Sequence, residues 1–185
     1  MPEDMTIARM CAPTLAGLKT GSLFNYHYAD RNEMLQAIRR WNRRLSPKGV
    51  VLAGLKFQNG KALIYAFRPK QLQQDLSSEG AVQILERYGY ASEKKEACLA
   101  TLIRRIARGE NFPHEIGLFL GYPPEDVKGF IEHRAENFKC VGYWKVYGDV
   151  SEAERKFAAF RRCTNWFVQR VNSGARLERL TVAMQ

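Results

Sequence analysis

The fold is decided by residues 50–67, which read VVLAGLKFQNGKALIYAF. Two apolar runs flank the pair Asn59-Gly60, and this pair supplies the two positive-φ positions that a tight type I′ turn requires. The stretch therefore predicts an antiparallel β-hairpin. Because the segments on either side carry apolar residues at helical spacing, the chain as a whole predicts an α+β fold.

Two elements are predicted before the hairpin. Residues 22–28 are rich in aromatic side chains and predict a strand. Asp30 is a good N-cap for a helix whose apolar residues recur at helical spacing as far as Leu45. Cys11 lies just before Pro13, and proline is favoured in the first turn of a helix, so a short helix is predicted to begin there.

The segments after the hairpin are predicted to be mostly helical. Two helices end at Gly89 and Gly109, and residues 140–147 are predicted to form a fourth strand. Ser151 is followed three residues later by Glu154, which is the spacing of a capping box at the start of a long helix.

Chain length and composition are those of an ordinary globular protein. The 185 residues, of which 45% are hydrophobic and 26% charged, suffice for one domain with a substantial core. We predict a single α+β domain over residues 1–185, with about four strands, helices inserted before the last strand and a long C-terminal helix. Residues 172–185 are expected to be a loosely held tail.

The net charge and the spacing of the cysteines limit which partners and which cellular location are expected. The formal net charge of +10 fits an anionic partner, or solvated arginine faces such as the one that carries Arg39, Arg40, Arg43 and Arg44. The chain opens with an acidic segment, and no apolar run approaches the roughly 20 residues that cross a bilayer. The four cysteines are far apart in sequence. We therefore expect a cytoplasmic protein with reduced thiols, no metal site and no membrane association.

The most distinctive local pattern is residues 112–131, which read FPHEIGLFLGYPPEDVKGFI. Residues 114–131 fit a helix-turn-helix, whose second helix would enter the major groove of DNA. Glu125 and Asp126 would then face phosphates at the place where lysine or arginine is needed. Specific binding to duplex DNA is therefore not expected.

The same segment also suits one wall of a pocket. His114 and Glu115 lie at a predicted helix start, where a histidine can act as an acid, a base or a ligand. The alternatives are that His114 packs on a neighbouring aromatic ring and that Glu115 merely favours the helix dipole. Cys11 near Lys19 would be a reactive thiolate at a helix N-terminus, or else an ordinary buried cysteine.

Side chains that alternate along the predicted last strand suggest a further binding surface. Tyr143, Lys145 and Tyr147 would share one face of the strand. Two tyrosines that flank a lysine can hold a flat anionic ligand by stacking and charge. The alternative is a solvated sheet face with a lysine between aromatic rings.

Three motifs together resemble a known family: CAPTLAG at residues 11–17, HEIGLFLGYP at 114–123 and GYWKVY at 142–147. They are similar to motifs of a bacterial domain-of-unknown-function family that is common in anaerobic Gram-positive bacteria. The resemblance implies a single-domain bacterial cytoplasmic protein and suggests that the three segments belong together. It implies no activity.

We interpret the chain as a small cytoplasmic protein with a ligand-binding or catalytic pocket. Cys11 is the candidate nucleophile or soft ligand and His114 its base or co-ligand, so the two should lie in or beside one concavity. The candidate ligand-binding residues are Thr14, Lys19, Glu115, Tyr143 and Lys145. The expected partner is an anionic small molecule, while the cofactor, the reaction and the oligomeric state are unknown. Two alternatives remain open: a helix-turn-helix regulator and a structural adaptor without small-molecule chemistry.

Overall fold

The predicted α+β class is confirmed by the computed structural model, which describes residues 2–91, 95–109 and 112–183. The described residues form five strands, which make two small antiparallel sheets. Unit 1 contains residues 1–70 and 160–185, and unit 2 contains residues 71–159. One domain over the whole chain stays a prediction. None of the described helices combines the length and the apolarity needed to cross a bilayer.

Helices account for most of the regular structure. The α-helices of the described residues are α1 (Pro2–Leu15), α2 (Arg31–Leu45), α3 (Pro69–Asp75), α4 (Glu79–Arg87), α5 (Lys95–Arg108), α6 (Ile116–Phe119), α7 (Pro124–Glu132), α8 (Val150–Asn172) and α9 (Leu177–Leu180). Unit 1 contains α1, α2, α9 and the C-terminal part of α8. Unit 2 contains α4 to α7 and the N-terminal part of α8.

Unit 1 is built on the predicted hairpin. Its strands are β1 (Gly21–His27), β2 (Val51–Gln58) and β3 (Lys61–Phe67), and β3 lies between the other two with antiparallel pairing on both sides. The turn residues Asn59 and Gly60 have φ values of 51° and 70°, as a type I′ turn requires.

One apolar core joins the sheet and the helices of unit 1. Ala62, Ile64 and Ala66 alternate along β3 and are buried in this core. The helices contribute apolar side chains at helical spacing: Ile7, Cys11, Leu15, Met34, Ile38, Trp41, Leu45, Phe167 and Leu177. Asp30 caps α2 as predicted, because its Oδ1 accepts a hydrogen bond of 2.8 Å from the Glu33 backbone N–H.

The predicted helix start at Pro13 is wrong. Helix α1 begins at Pro2, and Pro13 lies inside it, two residues before its end. A proline at this position removes one backbone hydrogen bond from the helix. Burial offsets this loss, since five apolar residues of α1 are completely buried: Ile7, Ala8, Cys11, Ala12 and Leu15.

The region expected to be a loose tail, residues 172–185, is ordered over its described part. Leu177 is completely buried in the core of unit 1, and Thr181 is only 3% exposed. The backbone N–H of Val182 donates a hydrogen bond of 3.0 Å to the carbonyl of Leu15, at the end of α1. This segment is therefore an ordered part of unit 1, and the prediction of a loosely held tail is wrong for its described residues.

Residues 140–147 of unit 2 are not one continuous strand. Two strands of two residues each, β4 (Cys140–Val141) and β5 (Lys145–Val146), pair antiparallel, and residues 142–144 form the turn between them. The backbone N–H of Gly142 donates to the carbonyl of Trp144 across this turn (3.0 Å). The alternation predicted for Tyr143, Lys145 and Tyr147 therefore does not hold.

The ends of the helices in unit 2 agree only partly with their predicted signals. Gly89 and Gly109 have φ values of 74° and 73° and follow α4 and α5, as predicted. The start of α8 differs, because Asp149 is the cap rather than Ser151. The Asp149 carboxylate accepts a hydrogen bond of 2.9 Å from the Glu152 backbone N–H.

Arg68 ties distant parts of unit 1 together. Its side chain is buried, and its guanidinium donates hydrogen bonds to the carbonyls of Thr14 (2.6 Å), Leu15 (2.6 Å), Val182 (2.8 Å) and Lys48 (3.2 Å). Thr14 and Leu15 end α1, where backbone carbonyls lack helical partners and the helix dipole is negative. Burial lowers the pKa of Arg68, but a guanidinium stays protonated at neutral pH.

We expect Arg68→Leu to lower the free energy of unfolding by about 3 kcal/mol or more, because it removes four hydrogen bonds from a charged donor, each worth about 1.5–3 kcal/mol. The matched control is Arg39→Leu at an exposed position of α2, which should change it by less than about 0.5 kcal/mol. Urea unfolding followed by circular dichroism measures both. Equal midpoints for the two variants would contradict the structural role of Arg68.

Candidate functional site

Unit 2 contains a concavity of about 490 Å³, a size that suits a small molecule. Its lining comes from the segment before α6, from the α6–α7 pair and from the β4–β5 hairpin. The aromatic lining residues are Phe112, Tyr122, Phe130, Tyr143 and Trp144. The lining residues with ionisable side chains, besides the tyrosines, are His114, Asp126 and Lys145. Two of the motifs that carry the family resemblance therefore meet at this concavity.

The close approach of α6 and α7 depends on glycine. Gly121 follows α6 with a φ of 75°, which lets the chain turn toward α7. Gly117 lies under α7, and a Cβ at this position would be 2.8 Å from Cγ2 of Val127 and 3.1 Å from Cδ2 of Tyr122. The missing side chain thus allows Val127 and Tyr122 to pack directly against α6.

Asp126 fixes the β4–β5 hairpin to α7. Its carboxylate is buried and accepts three hydrogen bonds of 2.7 Å: Oδ2 from the indole Nε1 of Trp144, and Oδ1 from the backbone N–H groups of Tyr147 and Gly148. Asp126 also lies in the first turn of α7, where the helix dipole favours a negative charge. The buried charge is therefore held by three donors and by the helix terminus.

The orientation of Trp144 creates an aromatic wall. Its ring stacks on Tyr122 at 4.8 Å between ring centroids and meets Phe157 edge-on at 4.5 Å. Burial raises the pKa of Tyr122 to about 12, so its hydroxyl keeps its proton at neutral pH. That hydroxyl donates a hydrogen bond of 3.2 Å to the backbone carbonyl of Tyr143.

Three of the residues predicted for the site line this one concavity. His114 is exposed, and the centroid of its ring lies 5.2 Å from that of Phe130. His114 therefore packs on an aromatic neighbour and also lines the concavity. Tyr143 is 38% exposed. Lys145 Nζ donates to the carbonyl of Ala135 (2.8 Å), which leaves two further N–H donors on its ammonium group.

Glu115 is not among the residues that line the concavity. It is 1% exposed and accepts a hydrogen bond of 2.9 Å from the hydroxyl of Tyr90. Arg105 Nε lies 3.0 Å from the same carboxylate oxygen. Burial first, and then the Glu115 charge, raise the pKa of Tyr90. These contacts make Glu115 part of a buried polar cluster that holds α5 to the segment before α6.

The other predicted residues, Cys11, Thr14 and Lys19, belong to unit 1. Cys11 is completely buried within α1, far from the helix N-terminus that was expected to activate it. Burial raises the pKa of its thiol to about 12, and the nearby Lys19 charge opposes this only in part. Burial likewise lowers the pKa of Lys19 to about 8. Thr14 Oγ1 shares a hydrogen bond of 2.9 Å with Ser22 Oγ.

The physical basis predicted for a reactive Cys11 is therefore missing. A raised pKa reduces the thiolate fraction at neutral pH, which is the opposite of what a nucleophile needs. Cys11 and His114 also lie in different units, and a concavity shared by the two stays a prediction.

The segment predicted as a helix-turn-helix has a very short first helix. α6 has four residues and α7 has nine. At the start of α7, Glu125 is exposed, whereas the carboxylate of Asp126 accepts hydrogen bonds from the β4–β5 hairpin. Asp126 thus has a structural role, and the absence of specific binding to duplex DNA stays a prediction.

Sequence reasoning did not identify Phe112, Tyr122, Phe130, Trp144 and Asp126 as site residues. Asp126 was interpreted only as an acidic residue that would face DNA phosphates. Its main partner, Trp144, is 18 residues away in sequence. A buried aspartate and a buried tryptophan, each needing a polar partner, are the signal that could have linked them.

We expect Asp126→Asn to lower the free energy of unfolding of unit 2 by about 2 kcal/mol, because an amide cannot accept all three hydrogen bonds and loses the charge assistance. Glu125→Gln, at the exposed neighbouring position, is the matched control and should be nearly neutral. Urea unfolding monitored by Trp144 fluorescence, in a Trp41→Phe and Trp166→Phe background, measures both. A neutral Asp126→Asn would contradict the anchoring role.

We expect Cys140 to alkylate fastest among the four cysteines at neutral pH. Cys140 is half-buried, whereas burial raises the pKa of Cys11 to about 12 and that of Cys163 to about 11, and Cys98 is buried. Each unit of raised pKa lowers the thiolate fraction about tenfold. Timed iodoacetamide labelling with peptide mass spectrometry gives the order. Cys11 labelling first would restore it as a candidate nucleophile.

Comparison with known proteins places the chain in a family. Searches among curated proteins and among solved structures each gave no significant match. A family profile, in contrast, matches residues 7–181, which is nearly the whole chain. The chain therefore belongs to the family described as protein of unknown function (DUF3793).

Proposed function

We propose that unit 2 binds a small, flat, mostly apolar molecule that carries an anionic group, in the concavity lined by His114, Tyr143 and Lys145. The observation that carries this proposal is the convergence of five aromatic side chains with one histidine and one lysine around a space of about 490 Å³. Ligand pockets are typically apolar and aromatic, with a few polar groups that fix the orientation of the ligand.

The aromatic lining supports a flat ligand. Tyr143 and Phe112 are 38% and 48% exposed, so both rings present surface that a ligand can cover. Trp144 is held in place by Asp126 and by its contacts with Tyr122 and Phe157. A rigid aromatic surface loses little conformational entropy when a second ring stacks on it.

The polar groups support an anionic substituent. Lys145 keeps two N–H donors beyond its bond to the Ala135 carbonyl, and its ammonium lies 4.5 Å from the centroid of the Phe138 ring. His114 adds a second nitrogen donor at the same concavity. The carboxylate of Asp126 already accepts hydrogen bonds from three donors, so it competes little with a ligand for Lys145 and His114.

This proposal narrows the interpretation made from the sequence. Cys11, Thr14 and Lys19 are not part of it, because their described contacts lie within unit 1 and Cys11 is completely buried. No observation on α6 and α7 favours a nucleic-acid regulator. We favour ligand binding over a structural adaptor because an adaptor would not need a concavity lined by aromatic rings, a histidine and a lysine.

The test uses three probes, indole, indole-3-carboxylate and hexanoate, which separate the contribution of the flat ring from that of the anionic group. We expect indole-3-carboxylate to bind best, indole more weakly and hexanoate least. Tyr143→Ala should weaken both indoles about fivefold, the factor that corresponds to an aromatic contact of about 1 kcal/mol. Lys145→Met should remove the advantage of the carboxylate over neutral indole. Saturation-transfer NMR titrations measure the affinities.

Two histidines provide the matched control. His114→Ala should weaken indole-3-carboxylate binding, whereas His133→Ala should not, because the exposed His133 stacks on Tyr147 and is not among the lining residues. The proposal is wrong if hexanoate binds as well as the indoles. It is also wrong if Tyr143→Ala and His114→Ala leave binding unchanged while the fold, checked by circular dichroism, is intact.

A further inference from the structure

The positive charge of the chain is concentrated in unit 1. Residues 1–70 and 160–185 contain 17 lysines and arginines against five aspartates and glutamates, a net charge of +12. Residues 71–159 contain 12 basic and 14 acidic residues, a net charge of −2. The net charge of +10 is thus a property of unit 1 alone. Because the positive charge is confined to unit 1, unit 1 is the part of the chain that suits binding to a polyanion.

The acidic residues of unit 1 do little to offset this charge. Four of the five are already engaged by other groups: Glu3, Asp4, Asp30 and Glu178. Arg40 bonds Glu3, and Arg44 bonds both Asp4 and Glu178. Asp30 caps α2. Only two arginines of unit 1, Arg40 and Arg44, are thus used in the ion pairs with these three acids. Most of the other basic side chains of unit 1 are exposed and can contact a partner.

An aromatic side chain lies within one line of basic residues on α8. Arg162, Trp166 and Arg170 are spaced four residues apart, so they lie on one face of the helix, about one turn from each other. All three are exposed, and Trp166 keeps 43% of its surface accessible. The Arg170 guanidinium lies 5.5 Å from the Trp166 ring centroid. We call these three residues the Trp166 stripe.

The face of α8 next to the stripe packs on the core of unit 1, and this holds the stripe toward the outside. Phe167 is buried in the core of unit 1, and Cys163 and Val171 pack against the same core. Trp166 meets Phe167 edge-on at 5.3 Å between ring centroids, which fixes its position without covering it. The exposed indole therefore lies on a helix whose neighbouring face is packed on the core of unit 1.

We propose that the Trp166 stripe binds single-stranded nucleic acid without sequence preference, with Trp166 stacking on a base and Arg162 and Arg170 contacting phosphates. Stacking platforms within basic surfaces are the general means of binding single strands. In a duplex the base faces are already stacked on each other, so an exposed indole has no base face to cover. The stripe therefore favours a single strand over a duplex.

An anionic membrane surface is the competing partner for a tryptophan between arginines. Helices that lie in a membrane interface insert a whole apolar face of several large side chains. Beside the stripe, the exposed positions of α8 are polar: Arg161, Asn165 and Gln169. A single indole among polar side chains suits one stacked base better than insertion into lipid.

The test measures fluorescence anisotropy of a labelled oligothymidylate of about 20 nucleotides with the full chain. We expect Trp166→Ala to weaken binding at least about fivefold and Trp166→Phe to retain most of it. Tryptophan emission should be quenched on binding in the wild type, and most of this quenching should disappear in Trp166→Phe. A duplex of the same length should compete poorly.

A pair of double variants separates a binding site from a general charge effect. Arg162→Ala with Arg170→Ala should reduce the slope of log affinity against log salt by about 1.4, at about 0.7 for each lost phosphate contact. Arg87→Ala with Arg104→Ala, at exposed positions of unit 2, removes the same charge and should leave the slope unchanged. Equal effects of the two double variants would overturn the proposal. Binding to phosphatidylglycerol vesicles without binding to the oligonucleotide would overturn it as well.

Discussion

The candidate site depends on one buried carboxylate. Asp126 draws the indole of Trp144 and two backbone N–H groups of the following chain onto the first turn of α7. Without this attachment the β4–β5 hairpin, with two residues in each strand, would be too short to hold its own shape. Unit 1 uses the same device with the opposite charge, since the Arg68 guanidinium gathers four backbone carbonyls. In both units one buried charge joins segments that are distant in sequence.

Local backbone requirements made much of the fold predictable. The Asn59-Gly60 turn and the glycine stops at Gly89 and Gly109 follow from positive-φ positions, which a reader of the sequence can recognise without knowing the rest of the fold. The start of α1 was misplaced because the local signal of Pro13 is overridden by burial of one face of the helix in the core. The division of the predicted last strand into β4 and β5 was missed because the alternating pattern does not reveal the turn at residues 142–144.

The site was predictable by residue type but not by arrangement. His114 was expected to bind a ligand because of its place at a helix start, and Tyr143 and Lys145 because tyrosines that flank a lysine can hold a flat anion. All three line one concavity, although the strand alternation predicted for Tyr143 and Lys145 does not hold. The aromatic wall was not predictable, since Trp144 owes its orientation to a partner 18 residues away. The reactivity predicted for Cys11 rested on a helix start at that residue, whereas α1 begins nine residues further toward the N-terminus.

The division of the chain has a consequence for biosynthesis. Unit 1 is discontinuous, with its two parts separated by the whole of unit 2. Because chains emerge from the ribosome in order, residues 71–159 are complete before Phe167, Leu177 and Val182 exist to fill the core of unit 1. Until those residues are synthesised, the apolar core residues within the first 70 residues stay partly exposed to solvent. Unit 1 is therefore the last to close and the part of the nascent chain most exposed to aggregation and to chaperones.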